Sequence, residues 1–196
     1  MTRFQFARTF AVLLVLAGAL SVLSAQSASP TLLFANKTVL NVDATSLDLR
    51  IEDTPPREYP HVNYRSQVRI EDGAREWAAT RFALTGNSVN TLRITIRKGD
   101  ILEKLLPVKK GIKGFFTKDQ AAEYDATLDL EIAIVDPNGK VLSSASGNSR
   151  NTRTVTEGAT DADKQQVWTG LVVASFDGLD AELQAQMRQV MAQYIR

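Results

Sequence analysis

Side chains suited to nucleophilic chemistry are few in this sequence. The chain has no cysteine, and His61 is its one histidine. A Ser–His–acid arrangement would have to use His61, which follows Pro60 in a proline-rich segment, and no Gly-x-Ser-x-Gly turn presents a serine. One histidine without cysteine also excludes the usual zinc ligand sets. The sequence therefore predicts neither a nucleophilic enzyme nor a zinc site.

Carboxylates are the remaining chemical resource. Asp125, Asp129 and Glu131 share one face of a predicted strand, and further acids stand at Asp136, Asp161 and Asp163. They could offer oxygens to calcium or serve a carboxylate-dependent hydrolase, but no feature selects one pair. Carboxylates that alternate with apolar residues are typical of a solvated strand face. We therefore predict no catalytic residue, metal or cofactor, and the hydrolase stays an unfavoured alternative.

The most unusual local chemistry lies between the predicted strands. Gly111–Gly114 is too short for a phosphate-binding loop and lacks its Lys-Ser/Thr ending. The surrounding segment combines cations and aromatic rings, namely Lys109, Lys110, Lys113, Phe115 and Phe116. It is a candidate contact with a partner or an anionic membrane surface, with apolar tips inserting beside lysines. In the alternative interpretation the two phenylalanines fold back onto the core.

The N-terminal residues indicate export. Arg3 and Arg8 precede a 14-residue apolar run, Phe10–Leu23, and small residues follow it. This order is that of a secretory signal, and the run is shorter than the roughly 20 residues of a membrane span. We predict a signal peptide over 1–25, with cleavage after Ser27 or Ala28 and an uncleaved N-terminal anchor as alternatives. Because exported eukaryotic domains of this size usually carry disulfides, the absence of cysteine favours a bacterial periplasm.

The predicted mature chain forms one domain. Its 171 residues suffice for one hydrophobic core, and they carry 21 basic against 22 acidic residues. No strong positive field attracts nucleic acid, so we predict no nucleic-acid partner. Residues 26–37 lack a clear period and are interpreted as a flexible leader, and 38–196 as a single α+β domain. The oligomeric state stays open.

Periodicity gives the architecture of that domain. The segment 123–135 alternates apolar and polar side chains, which is typical of a strand with one wet face. Asp136-Pro137-Asn138-Gly139 predicts a turn that returns the chain as a long hairpin over 140–155. The small residues 143–147 of the returning strand indicate either a closely packed neighbour or a bulge. Further strands are predicted at 38–42, 46–51 and 91–98, and 101–106 is interpreted as a continuation of the last of these after a kink at Gly99-Asp100. Helices are predicted over 70–84 and from 161 onward, with a possible break at Gly178. The sum is an antiparallel or mixed sheet covered on one face by two helices.

A resemblance extends this interpretation. The run Ala74–Ala78, the strands Leu92–Ile96 and Tyr124–Leu128, and the closing amphipathic helix resemble bacterial envelope proteins. These are the auxiliary lipoproteins of ABC transport and lipopolysaccharide assembly and their alphaproteobacterial relatives. The resemblance implies a periplasmic α+β adaptor of a membrane transport or assembly machine. Gln26 stands where a lipoprotein carries its lipidated cysteine, so outer-membrane anchoring is not implied.

Two functional hypotheses lead. The first is a non-catalytic periplasmic accessory protein that binds an envelope protein or lipid-handling machinery through a sheet edge, the lysine–phenylalanine segment or the last helix. The second is a carrier of a small apolar or lipid ligand, held between sheet and helices where the small residues 143–147 leave room.

Overall fold

The computed structural model describes residues 33–107 and 119–196, which form two helices and two sheets. A four-stranded sheet has the order β2-β4-β5-β6, and a two-stranded sheet pairs β1 with β3. Strand β2 runs parallel to β4, and the other neighbours are antiparallel, so the larger sheet is mixed and the predicted α+β class is confirmed. The strands are β1 (Leu40–Val42), β2 (Ser46–Ile51), β3 (Phe82–Leu84), β4 (Thr91–Leu105), β5 (Gln120–Val135) and β6 (Val141–Thr156). The helices are α1 (Ile70–Arg81) and α2 (Asp161–Val190), and a 3-10 turn spans Asn63–Arg65.

The long hairpin forms as its sequence predicts. Alternate residues of β5 from Ala122 to Ile134 are buried, and the residues between them up to Glu131 are partly exposed. At the turn Gly139 has φ +86°, its amide donates to the Asp136 carbonyl, and the Asp136 carboxylate accepts the amides of Asn138 and Lys140. A glycine tolerates this positive φ because it has no Cβ. The turn therefore sets the register of β6 against β5.

Strand β4 is one continuous element, in line with the continuation of 91–98 into 101–106 that the sequence indicates. Its register against β5 shifts between Ile96 and Lys98, two residues before the predicted kink, and pairing then continues to Leu105. A Cβ built on Gly99 would lie 3.0 Å from side-chain carbons of Ile70 and Ile96. Gly99 thus serves the close approach of α1 to the sheet.

Both helices cover the same face of the large sheet. Side chains of alternate residues on β4 and β5 meet those of the helices in one core, which includes Trp77 of α1 and Trp168 of α2. Trp77 packs edge-on against Phe82 at 5.3 Å between ring centroids, and Trp168 packs edge-on against Tyr124 at 5.5 Å. The other face of the sheet, which we call the open face, has no helix over it in the described residues.

Helix α1 ends three residues before the predicted boundary. Arg81 is its last residue, and Phe82–Leu84 extend into β3 beside β1. Phe82 continues the helical apolar period of the sequence, although its backbone is extended. Its ring still packs on Trp77 of α1, which explains why the sequence predicted helix here. Gly86 lies in the following loop with φ +70°.

Helix α2 is unbroken across Gly178 and ends at Val190. The chain then turns back so that Ile195 bridges Val42, and Arg196 exchanges backbone hydrogen bonds with Asn41 at 2.9 and 3.3 Å. The small residues of β6 let α2 approach: a Cβ on Gly147 would lie 3.0 Å from Leu179 Cδ2. This contact is the close packing that the small side chains of 143–147 indicate.

Residues 33–37, assigned to the flexible leader by the sequence, are packed on the helices. Phe34 is buried and meets Phe176 edge-on at 5.5 Å, and the Leu33 amide donates to Glu76. The Lys37 ammonium lies 2.7 Å from Asp177. The core therefore begins before residue 38, because the apolar side chain of Phe34 is buried in it. Residues 26–32 lie outside the described residues.

The start of α2 makes a pH-dependent contribution to stability. Hydrogen bonds from the side chain and then the backbone amide of Thr160 hold the pKa of Asp163 below its ordinary value of 3.8. A group with a lowered pKa stabilises the fold above its unfolded pKa, and this contribution is lost as the pH falls through the folded value. We expect Asp163→Ala to lower the free energy of unfolding at pH 6, and the deficit to shrink towards pH 2.5.

Urea titrations at both pH values measure this difference. Asp161→Ala is the matched control. Asp161 lies in the same helical turn, but its carboxylate accepts no hydrogen bond from Thr160. An Asp163→Ala deficit of equal size at both pH values would contradict the capping role.

Candidate functional site

The strongest candidate site is the outer edge of β6, which no strand covers in the described residues. The Ser146 amide points away from β5, as its 3.3 Å hydrogen bond to Gln186 Oε1 of α2 shows. Pairing between β5 and β6 has no register shift from Ser143 to Val155. Since N–H and C=O of one residue point to the same side of a strand, every second residue presents both groups outward. These residues are Ser144, Ser146, Asn148, Arg150, Thr152 and Thr154, which we call the edge residues.

The outward backbone groups of the edge residues are nearly all unpaired within 33–107 and 119–196. The exceptions are the Ser146 amide and the Thr152 carbonyl, which accepts a 3.4 Å hydrogen bond from the Arg153 guanidinium. All six side chains are exposed. An unpaired row of alternating donors and acceptors can pair with an extended chain, as in strand addition to a sheet.

The first half of this edge strand lacks the usual protections, and its charged residues, Arg150 and Arg153, both lie in the second half. Over Ser143–Val155 the strand has no proline, no lysine and no bulge, and residues 141–149 carry no charge. Natural proteins blunt exposed edges with such features or cover them, because a long unprotected edge pairs with other chains. The stretch Ser143–Ser149, which lacks these features, is therefore suited to binding another strand.

Beside this edge, the open face is electrically balanced. The Arg150 guanidinium donates to both oxygens of Asp125 at 2.9 and 2.8 Å, and Arg97 donates to Asp129 at 2.9 Å and lies 3.6 Å from Glu131. Asp125, Asp129 and Glu131 are thus each ion-paired with an arginine. Among the described residues no cluster of three or more histidine, aspartate or glutamate side chains could hold a metal.

At the opposite edge, Asp48 joins two arginines. Burial would raise its pKa, but hydrogen bonds from Arg93 and Arg50 outweigh burial and hold the pKa below 3.8. Asp48 therefore stays a carboxylate that bridges β2 and β4, and it is part of the same solvated ladder of ion pairs. This arrangement agrees with the solvated-face interpretation of the sequence.

His61 has a partner that the sequence did not reveal. Its Nδ1 lies 2.5 Å from Asp100 Oδ2, and Asp100 is buried at the point where His61 pairs with Leu102. Burial raises the pKa of Asp100, although the hydrogen bond from His61 opposes this. No hydrogen bond joins His61 to a hydroxyl group in the described part of the chain. The pair fastens residues 60–62 to β4 and lacks the nucleophile of a triad.

The cavities do not suit the carrier hypothesis. One of about 130 Å³ lies over Ile51, Ile70 and Ile96, and this volume is below the 300–1,000 Å³ of typical ligand pockets. Another of about 530 Å³ is lined by six polar or small residues around the start of α2, with no large apolar side chain. The room expected at 143–147 is filled by Leu179 and Leu183 of α2. The small residues of β6 admit the helix instead of a ligand.

The predicted contact residues Lys109, Lys110, Lys113, Phe115 and Phe116 lie outside the described residues, and their role stays a prediction. A sheet edge was one of three surfaces considered from the sequence, which did not identify the strand that forms it. The signal that favours it is the run of short, uncharged residues 141–149 in the last strand before a closing helix. None of the helices in the described ranges combines the length and apolar content needed to cross a bilayer.

Comparison with known proteins finds similar solved structures only. Neither a family model nor a curated protein matches the chain. The fold is similar to a minor lipoprotein from Acinetobacter baumannii, at 16% identity and a TM-score of 0.38, covering 76% of this chain and 92% of that one. It is also similar to the rare lipoprotein B of Shewanella oneidensis, at 16% identity and a TM-score of 0.36, covering 74% and 95%. These neighbours are bacterial lipoproteins, and at this level of similarity they carry no functional assignment.

Proposed function

We propose that this protein is a non-catalytic accessory protein of the bacterial periplasm that binds an extended segment of another envelope protein along the edge of β6. The observation that carries the proposal is the long row of outward, mostly unpaired backbone groups on an edge whose first half has no charge, proline or bulge from Ser143 onward. Main-chain hydrogen bonds supply affinity in strand addition, and the flanking side chains supply specificity. The export signal predicted at residues 1–25 supports the compartment.

The resemblance to auxiliary lipoproteins of transport and lipopolysaccharide assembly supports an accessory role in such a machine. The lysine–phenylalanine segment at 109–116 is proposed as an additional contact with a membrane surface or the same partner. An enzymatic role has less support, because the acids at Asp125, Asp129 and Glu131 face arginines on the open face.

Asn148→Pro is expected to abolish binding at the edge. The Asn148 amide points outward, so proline removes a donor to the partner without removing a hydrogen bond between β5 and β6. The proline ring also occupies the space of the incoming strand. Photocrosslinking amino acids placed at Ser144 or Thr152 in the native cells should capture one defined envelope protein, and Asn148→Pro should lower the yield about ten-fold.

Asn148→Thr is the matched control, since threonine keeps the backbone donor and favours strands. A crosslinker at Gln166, exposed on α2 away from β6, controls for random capture. Circular dichroism checks that both variants fold. An adduct that persists in the folded Asn148→Pro variant, or the absence of an adduct from both edge positions, would refute the proposal.

A further inference from the structure

Side-chain chemistry changes from one end of β6 to the other, which allows the bound segment to be described. At the beginning of the strand, Val141 and Leu142 are 48% and 38% exposed. Val190, at the end of α2, is 49% exposed, and its carbonyl accepts the Ser143 hydroxyl at 2.7 Å. Three exposed aliphatic side chains therefore lie at the same end of the edge. We call them the apolar end.

The opposite end of the strand is basic. The Arg150 side chain is 74% exposed and pairs with Asp125. Arg153 is exposed, and its guanidinium contacts the Thr152 carbonyl, with no carboxylate within 4.0 Å in the described residues. One positive charge at this end is therefore uncompensated. Arg150 and Arg153 form the basic end, and the uncharged residues Ser143–Ser149 separate it from the apolar end.

The distance between the two ends fixes a spacing. Arg150 and Arg153 follow Leu142 by eight and eleven residues, which is about 26 and 36 Å at the rise of a strand. A strand that pairs with β6 has nearly the same rise, so residues opposite the two ends are separated by the same number of positions. Acidic side chains opposite the arginines and apolar side chains opposite Leu142 would complement the edge.

Resting on the proposed strand addition, we infer that the partner segment is an extended peptide with apolar residues at one end and acidic residues eight to eleven positions away. A second copy of this chain fits less well. Antiparallel pairing of β6 with itself places the basic end on the apolar end, and in-register parallel pairing places arginine beside arginine. Neither arrangement neutralises Arg153.

Synthetic peptides as long as residues 142–154 test the inference with the full mature chain. Each alternates serine and valine, carries Val-Leu at one end and two glutamates at the other, and is made in both directions. Matched peptides replace both glutamates by lysine, or Val-Leu by serine. Backbone amide shifts of residues 142–154 in NMR titrations report both the site and the affinity.

The glutamate peptide is expected to bind about ten-fold more tightly than the lysine peptide, with a difference that shrinks in high salt. In Arg153→Glu this preference should fall or reverse, and the variant should fold normally because Arg153 is exposed without an acidic partner. The serine-ended peptide should bind more weakly than the Val-Leu peptide to the unmodified chain.

Equal binding of the glutamate and lysine peptides, shifts outside β6, or no binding at millimolar concentration would overturn the inference. Concentration-dependent dimers that Asn148→Pro abolishes would overturn it in favour of a second copy. The inference can fail while the proposed function stands: if the crosslinked adduct is lost in Asn148→Pro but the peptides show no preference, only the described chemistry of the segment is refuted. The proposed function itself is refuted by an adduct that persists in Asn148→Pro.

Discussion

Asp180→Ala is expected to lower the free energy of unfolding by about 3 kcal/mol, because it leaves the Arg81 guanidinium buried without its carboxylate. Arg81 is 1% exposed, and its Nε donates to Asp180 Oδ1 at 2.8 Å. Its Nη1 atom is also buried and already has no hydrogen-bond partner in the described residues. Without Asp180, the buried Arg81 cation has no carboxylate to offset its loss of hydration, and the folded state is destabilised.

Urea unfolding of the folded mature chain measures this effect. Asp129→Ala is the matched control, since Asp129 pairs with Arg97 at 2.9 Å on the open face, where both side chains are about 40% exposed. Such a surface pair contributes less than about 1 kcal/mol. Replacing both members, as Arg81→Met with Asp180→Leu, should recover most of the loss because no charge then stays buried. Equal effects of Asp180→Ala and Asp129→Ala would contradict this account.

Gly73→Leu is expected to cost about 3 kcal/mol through overpacking between the helices. A Cβ at this position would lie 2.5 Å from Val172 Cγ1 and 3.1 Å from Phe176 Cε2. Both neighbours are fully buried, and a valine side chain has little rotational freedom, so α1 and α2 would have to separate.

Gly170→Leu is the control, because a Cβ at Gly170 of α2 meets nothing within 4 Å. Leucine is the better helix former, so Gly170→Leu should stabilise the protein by up to about 1 kcal/mol. Thermal unfolding of both variants checks the pair. A Gly73→Leu variant as stable as the unmodified chain would show that the helices are not in the tight contact described.

The sequence predicted most accurately the elements whose signals are local. The two-residue period of 123–135 covers all but the first three residues of β5, and Asp136–Gly139 supplies both the carboxylate that accepts the turn amides and the positive φ of the turn. These features need no distant partner. The small residues 143–147 likewise indicated a close neighbour, although the sequence could not say that the neighbour is α2.

Features that depend on distant residues were not predicted. Strand β3 exists because Leu40–Val42 pairs with it, and its sequence continues a helical period. The Arg81–Asp180 pair joins residues 99 positions apart, and His61 finds Asp100 only once β4 is placed. The edge role of β6 follows from the strand order, which no single segment encodes. The position of β2 beside β4 leaves β6 at the margin of the sheet.

Alternate residues of β6 meet two different requirements: one set packs against α2, and the other set is exposed. Ala145, Gly147 and Ser149 face α2, where Ser149 also donates to the Ser175 carbonyl at 2.9 Å, whereas the residues between them face outward. Orthologous chains should therefore change at alternating rates along this one strand. Positions under the helix should be conserved because the core needs them, and, under the proposed strand addition, the intervening positions should change together with the residues of the bound segment.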